Sequence, residues 1–168
     1  KLEAMVDHDD YNIEVTEAGG VTTVVVVTPK EALSTFSGEL TITVGEGKDV
    51  EVISTTGYVT VKGITNSKVK VRTGQGKVVV SDTNCEVDIE TKNGTLTATN
   101  MKGNVKLGST RGAITLENIE GTLGVDAMDG ALVANNLKGN ITIATTAGTQ
   151  TYTNVEGNMS LKASTGAI

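Results

Sequence analysis

Apolar and polar residues alternate along most of the chain, in short runs that glycine interrupts at fixed intervals. From Gly76 to Gly166 one glycine series recurs every 18 residues, and a second series, which begins at Gly103, follows the first by nine residues. From Gly38 to Gly76 the interval is 19 residues. Alternation with a period of two is typical of strands that bury one face, so each unit predicts two short strands separated by turns.

The inward positions of this unit hold aliphatic residues. Counted from the first glycine, these are positions 2, 4, 7, 11 and 13, and position 15 holds a small residue such as Thr91, Ser109 or Ala127. One unit has a single apolar face and cannot bury it alone, so successive units must stack, each strand pairing with its equivalent in the next. The sequence therefore predicts an all-β fold, a parallel β-helix (β-solenoid) with about eight coils of 18 to 19 residues.

The repeat pattern also predicts the domain organisation. Residues 1–168 are expected to form a single β-solenoid domain, with a degenerate N-terminal coil or cap over 1–37 and regular repeats over 38–168. Ile13 and Val15 precede Gly20 with the spacing that core residues have before later corner glycines, which indicates a degenerate first coil. Residues 164–168 stop partway through a coil, so either the natural chain continues or a partner protects the last edge. Edge-to-edge self-association is therefore possible.

Asparagine recurs at position 6 of four successive units, as Asn100, Asn118, Asn136 and Asn154. Asparagine tolerates left-handed backbone geometry, and stacked amides hydrogen-bond to each other along a coil axis. Such a row either binds a ligand or supports a corner. Because its register matches the core positions, we interpret it as a structural ladder.

Composition and charge exclude several classes of partner. The chain has one phenylalanine, no tryptophan and 2% aromatic residues, so its core must be aliphatic. Its net charge is −6 and its basic residues are scattered, which argues against binding to nucleic acid or to an anionic membrane surface. No apolar run approaches the roughly 20 residues that span a bilayer, so we expect membrane attachment only through an anchor outside this chain.

Opposite charges recur at equivalent positions of successive units. The rows are Lys102, Glu120, Lys138 and Glu156; Lys70, Asp88 and Lys106; Arg72 and Glu90; and Arg111 and Asp129. Opposite charges on neighbouring strands contribute from a few tenths to about 1 kcal/mol each. We interpret these rows as structural, because paired acid and base catalysis needs carboxylates that lack a basic neighbour.

Other reactive residues are few. His8 is the only histidine, and the acidic run around it, Asp7 to Asp10, is expected to be a solvated terminus. Cys85 is the only cysteine and stands where other units have glycine, so we expect a tolerated small residue and not a nucleophile. The turns lack the GGxGxD pattern of calcium-binding β-rolls. The sequence predicts no catalytic, cofactor-binding or metal-binding residues, and no cofactor.

Residues 103–148, "GNVKLGSTRGAITLENIEGTLGVDAMDGALVANNLKGNITIATTAG", resemble the bacterial adhesin-type β-strand-repeat family, a domain of unknown function. That family is related to the head-domain family of autotransporter adhesins. The resemblance extends from about Gly38 to the end and rests on repeated G-x-Φ-x-Φ-x-N-Φ-x-G units. It implies a right-handed β-helix that is exported to the periplasm, the cell surface or the medium. The family brings no established catalytic residues.

Two functional classes remain. The first is a non-enzymatic envelope or adhesion module that binds a surface protein or a glycan. Its expected binding surface is the outward face that carries Thr97, Thr115 and Thr151. The second is a carbohydrate-active β-helix enzyme, a polysaccharide lyase or hydrolase. Such enzymes build a cleft from long loops, whereas these repeats have almost no insertions. The sequence therefore favours the binding module.

Overall fold

The computed structural model describes residues 3–5, 12–18, 21–27, 39–43 and 47–168. These residues form β-strands and no helix, so the described part contains no apolar helix that would cross a membrane. The strands are β1 (Glu3–Met5), β2 (Asn12–Ala18), β3 (Val21–Val27), β4 (Glu39–Thr43), β5 (Asp49–Thr56), β6 (Tyr58–Lys62), β7 (Thr65–Arg111), β8 (Ile114–Asp129), β9 (Leu132–Ala147) and β10 (Gln150–Ala163).

Successive coils pair in parallel, with equivalent residues side by side. Leu96 of β7 lies beside Ile114 of β8, and Ile114 lies beside Leu132 of β9. β7 is long because its chain stays hydrogen-bonded to neighbouring coils as it passes through the corners. The predicted β-solenoid is confirmed, with about six turns in place of the predicted eight. At about 4.8 Å per coil, six turns extend about 29 Å along the axis.

The smaller number of turns has its origin in the N-terminal strands. β3 and β4 pair in parallel with β5 and β6, but β2 pairs antiparallel with β3, and β1 pairs antiparallel with β4. Ile13 and Val15 therefore lie in an antiparallel edge strand and not in the coil that their spacing suggested. Only two residues separate β2 from β3, which suits an antiparallel pair, whereas a parallel pair needs a longer crossover. The predicted boundary between 37 and 38 stays a prediction.

The core is an aliphatic column inside the coils. Leu107, Val125 and Ile143 lie one above another and are buried, as are the other aliphatic positions predicted from the repeat between residues 50 and 143. The corners depend on glycine. At Gly112, where φ is +127°, an added Cβ would overlap the carbonyl oxygen of Gly94 and lie 2.7 Å from its carbonyl carbon. Glycine alone fits both the backbone angle and the coil spacing there.

Candidate functional site

The four predicted asparagines line one corner of the solenoid and are joined by hydrogen bonds. Asn154 Nδ2 donates to Asn136 Oδ1 at 3.0 Å, Asn136 to Asn118 at 3.0 Å, and Asn118 to Asn100 at 2.9 Å. All four have φ of 54° to 55°, the left-handed region that asparagine tolerates better than most residues. The side chains are exposed, so the ladder is a surface feature of the corner.

The ladder ends on a carboxylate. Asn100 Nδ2 donates to Asp82 Oδ1 at 2.9 Å, and Asp82 shares the left-handed backbone of the asparagines. The hydrogen bond from Asn100 lowers the pKa of Asp82 below its ordinary value, and Ser81 and Lys62 act in the same direction. An ionised carboxylate only accepts hydrogen bonds, so Asp82 suits an end toward which every amide donates.

A groove of about 560 Å³ follows this corner along the axis. One wall is the amide ladder, and the other carries two ion pairs from the charge row at position 8. Lys102 Nζ lies 3.2 Å from Glu120 Oε2, and Lys138 Nζ lies 3.4 Å from Glu156 Oε2. The four charged residues that line this groove are all paired with each other, so the groove offers a ligand amide groups and no unpaired charge.

Arg72 organises the charges on the adjoining face. Its Nη2 lies 2.8 Å from Asp88 Oδ2 and its Nε lies 3.0 Å from Glu90 Oε2. The hydrogen bond to Asp88 raises the pKa of the guanidinium above its ordinary value. The predicted row of Lys70, Asp88 and Lys106 is therefore wrong as a set of ion pairs, because Lys70 pairs with Glu51 at 2.9 Å and the longer arginine reaches diagonally to Asp88.

The predicted pair of Arg111 and Asp129 has a different outcome. The two residues lie side by side in the register of β7 and β8. Within the described residues, however, their side chains form no ion pair.

A second groove, of about 630 Å³, crosses this charged face. Gly108 is part of its lining, where glycine replaces the outward side chain between Glu90 of one coil and Asp126 of the next but one. Lys92 and Lys106 also border it, and Met128 lies at one end with 55% of its surface exposed. We call this depression the Gly108 groove. It was not predicted, since the repeat pattern marks glycines as corners only.

The threonine side of the solenoid is flat and interrupted. Thr97 lies beside Thr115, but the next residue in that column is Val133, which separates Thr115 from Thr151. Thr115, Val133 and Thr151 are exposed. The column therefore presents β-branched side chains without a continuous line of hydroxyl groups.

Of the remaining reactive groups, Cys85 lies within the described residues and is buried. Cys85 is a buried free thiol at a corner, and burial raises its pKa to about 11, so the nucleophilic thiolate is scarce near neutral pH. No group of three histidine, cysteine, aspartate or glutamate residues in the described ranges is arranged to hold a metal ion. His8 and the acidic run around it lie outside the described residues.

Two polar clusters escaped the sequence prediction. Asn158 Nδ2 donates to Asn140 Oδ1 at 3.1 Å, which adds a short second ladder at position 10 of the unit. Inside the last coil, Gln150 replaces a core aliphatic residue, donates to Thr145 Oγ1 at 2.6 Å and accepts a bond from the Tyr152 hydroxyl. The recurrence of asparagine at an 18-residue spacing would have signalled the ladder, whereas nothing in the pattern signals an inward glutamine.

A comparison with curated proteins and with solved structures gives no match. A family model, Toastrack DUF4097, matches residues 6–165, nearly the whole chain. This match supports a domain of unknown function, and it does not extend to the adhesin-type family that the repeats resemble. Because the match covers nearly the whole chain, the chain belongs to the Toastrack DUF4097 family.

Proposed function

We propose that this chain is a non-enzymatic, adhesin-like module of the bacterial cell envelope that binds a surface protein or a glycan on an outward face of a rigid solenoid. The observation that carries the proposal is the residue-for-residue register of the coils. From β7 to β10, equivalent residues pair without an inserted loop. A surface of this kind offers shallow, fixed binding sites.

The charges on the solenoid support binding over catalysis. Arg72 holds two carboxylates, Asp88 and Glu90, at hydrogen-bonding distance. Both carboxylates are therefore engaged by a cation, whereas paired acid and base catalysis needs carboxylates that lack a basic neighbour. The proposal therefore assigns no catalytic residue, no cofactor and no metal to this chain.

Export is part of the same proposal. The module is placed in the periplasm, on the cell surface or in the medium, with membrane attachment only through an anchor outside this chain and with no nucleic-acid partner. Fractionation of the source cells, with an antibody against the domain, tests the placement. Recovery of the domain in the cytoplasmic fraction alone would contradict it.

A second copy of this chain, bound through a strand edge, is a further proposed partner. Within the described residues β10 pairs only with β9, and Leu161 on β10 is 36% exposed. Light scattering over a range of concentrations should show a dimer or a longer species, and Leu161→Lys should reduce it by placing a charge beside the edge. A monomer at all concentrations would exclude this partner.

The central test combines binding and turnover measurements on the purified domain. We expect binding on an array of glycans or bacterial surface proteins, and no product in screens for polysaccharide depolymerisation. Asp88→Asn and Asp126→Asn serve as the catalytic controls. Turnover that either substitution abolishes would refute the binding module and would favour the lyase or hydrolase alternative.

A further inference from the structure

We propose that the Gly108 groove is a binding site for a short segment of a neutral glycan. This inference rests on the proposed function of a binding module and names the ligand class and the site. Four features of the groove carry it: an outward glycine that the fold does not require, polar side chains without ion-pair partners, balanced charge, and exposed apolar side chains at both ends.

The first feature is Gly108 itself. Its φ lies outside the left-handed region, and an added Cβ would meet the Cγ of Glu90 at 3.3 Å, a flexible side chain. The corner glycine Gly112, by contrast, faces backbone atoms of the neighbouring coil. Glycine weakens a strand when no turn requires it, and it often marks close approach of a ligand. Gly108 therefore keeps open a space that packing alone would fill.

The second feature is a set of polar groups without partners. Asp88 Oδ1 is buried and accepts no hydrogen bond, although Asp88 Oδ2 is bonded to Arg72. Lys92, Lys106 and Asp126 line the groove, and none of them forms an ion pair with another described residue. Asp88 Oδ1 has almost no accessible surface, so the groove offers acceptors to a ligand through the exposed carboxylate of Asp126. The lysines offer donors in return.

The third feature is the balance of charge. The cationic residues that line the groove are Arg72, Lys92 and Lys106, and the anionic ones are Asp88, Glu90 and Asp126. Three cations and three anions give no net attraction to a charged polymer. A hydroxyl group both donates and accepts, so a polyhydroxylated ligand satisfies carboxylates and ammonium groups at once. The set of groups fits a neutral sugar.

The fourth feature is the shape of the site. Ile53 and Met128 lie at its two ends with 48% and 55% of their surfaces exposed, and they offer apolar contact to the C–H faces of sugar rings. Four coil steps separate them, about 19 Å at about 4.8 Å per step. A peptide fits less well, because the strand backbone groups under the groove pair within the sheet, and a peptide backbone would find no partners there.

The test measures neutral and anionic oligosaccharides and acidic and basic peptides against the whole chain, followed by titration calorimetry of the best neutral glycan. Gly108→Thr fills the groove floor with a residue that strands favour, so the fold is kept while affinity falls on the order of tenfold or more. Ala144→Thr, two coils further along the same column and outside the groove, is the matched control and should leave affinity unchanged.

A second pair of variants tests the hydrogen-bonding groups. Lys106→Gln should weaken neutral-glycan binding on the order of tenfold. Lys138→Gln makes the same charge change in the other groove, the one beside the asparagine ladder, and should leave affinity unchanged. Neutral-glycan binding that survives both groove variants, or binding to charged polymers or peptides only, would overturn this inference and leave the binding module intact. An absence of all binding, or catalytic turnover, would overturn the proposed function as well.

Discussion

The corner glycines allow a sharp test of the fold through one pair of glycine-to-alanine substitutions. Gly130 has φ of +134°, and a Cβ there would overlap the carbonyl oxygen of Gly112 and lie 2.8 Å from its carbonyl carbon. Gly124, six residues earlier, has φ outside the left-handed region, and its Cβ would meet only the carbonyl oxygen of Val105 at 4.0 Å. The two substitutions are chemically identical and differ only in backbone environment.

The expected costs follow from these contacts. The positive φ at position 130 costs an alanine about 1 to 2 kcal/mol of conformational free energy. The overlap also forces two coils apart at the corner. This weakens two or more backbone hydrogen bonds between the coils, at about 1 kcal/mol each. Gly130→Ala should therefore lower the free energy of unfolding by about 3 to 4 kcal/mol. Gly124→Ala should raise it by up to about 1 kcal/mol, because alanine has less backbone entropy to lose than glycine.

Urea denaturation followed by far-ultraviolet circular dichroism measures both effects, as midpoints compared with that of the unmodified chain. Gly130→Ala should melt at clearly lower urea, and Gly124→Ala at the same or higher urea. Equal losses in the two variants would refute the distinction between corner and strand glycines. An unchanged midpoint for Gly130→Ala would refute the close contact between coils.

Four further outcomes are expected. Val125→Asp should bury an unpaired carboxylate between Leu107 and Ile143 and abolish cooperative unfolding by circular dichroism; an unchanged melting curve would contradict the register. Asn118→Ala should cost about 1 to 2 kcal/mol, and Asn118→Gly, which keeps the left-handed backbone, isolates the ladder's share. Because the folded pKa of Asp82 is lowered, its stabilisation should be lost as pH falls below about 3.8, and Asp82→Asn should flatten that acid limb of a pH series. Because burial raises the pKa of Cys85 from 9.0 to about 11, stability should fall as pH rises through that window, and Cys85→Ala should fall less.

The sequence was most informative where it repeats. Period-two alternation and the 18-residue glycine interval predicted which residues face inward, and the structure buries Leu107 and Val125 as expected. Asparagine at position 6 of four units predicted a ladder of neighbouring side chains, because equivalent residues of stacked coils must be neighbours. These inferences need only the repeat length and the requirement to bury one face of each strand.

The rest depends on geometry that the repeat length does not contain. Arg72 reaches Asp88 diagonally, which a count of equivalent positions misses because it ignores side-chain length. β1 and β2 lie before the regular repeats, so nothing fixed their direction. The sequence does not distinguish Gly108 from a corner glycine, because the difference lies in its backbone angle. The site prediction was therefore weakest on the outward face, where each residue is free to differ from its equivalents.

The contact between corner glycines has a consequence for how such a chain changes length in evolution. Each 18-residue unit between Gly94 and Gly148 meets its two neighbours through the same kind of interface, glycine on glycine and strand on strand. Duplication or deletion of one whole unit would therefore preserve every interface. The 19-residue unit from Gly57 to Gly76 keeps the same contact between corner glycines, so a one-residue insertion is tolerated where it leaves the corners in register. Length can vary in whole coils, and the outward residues of any one coil can diversify without altering the scaffold.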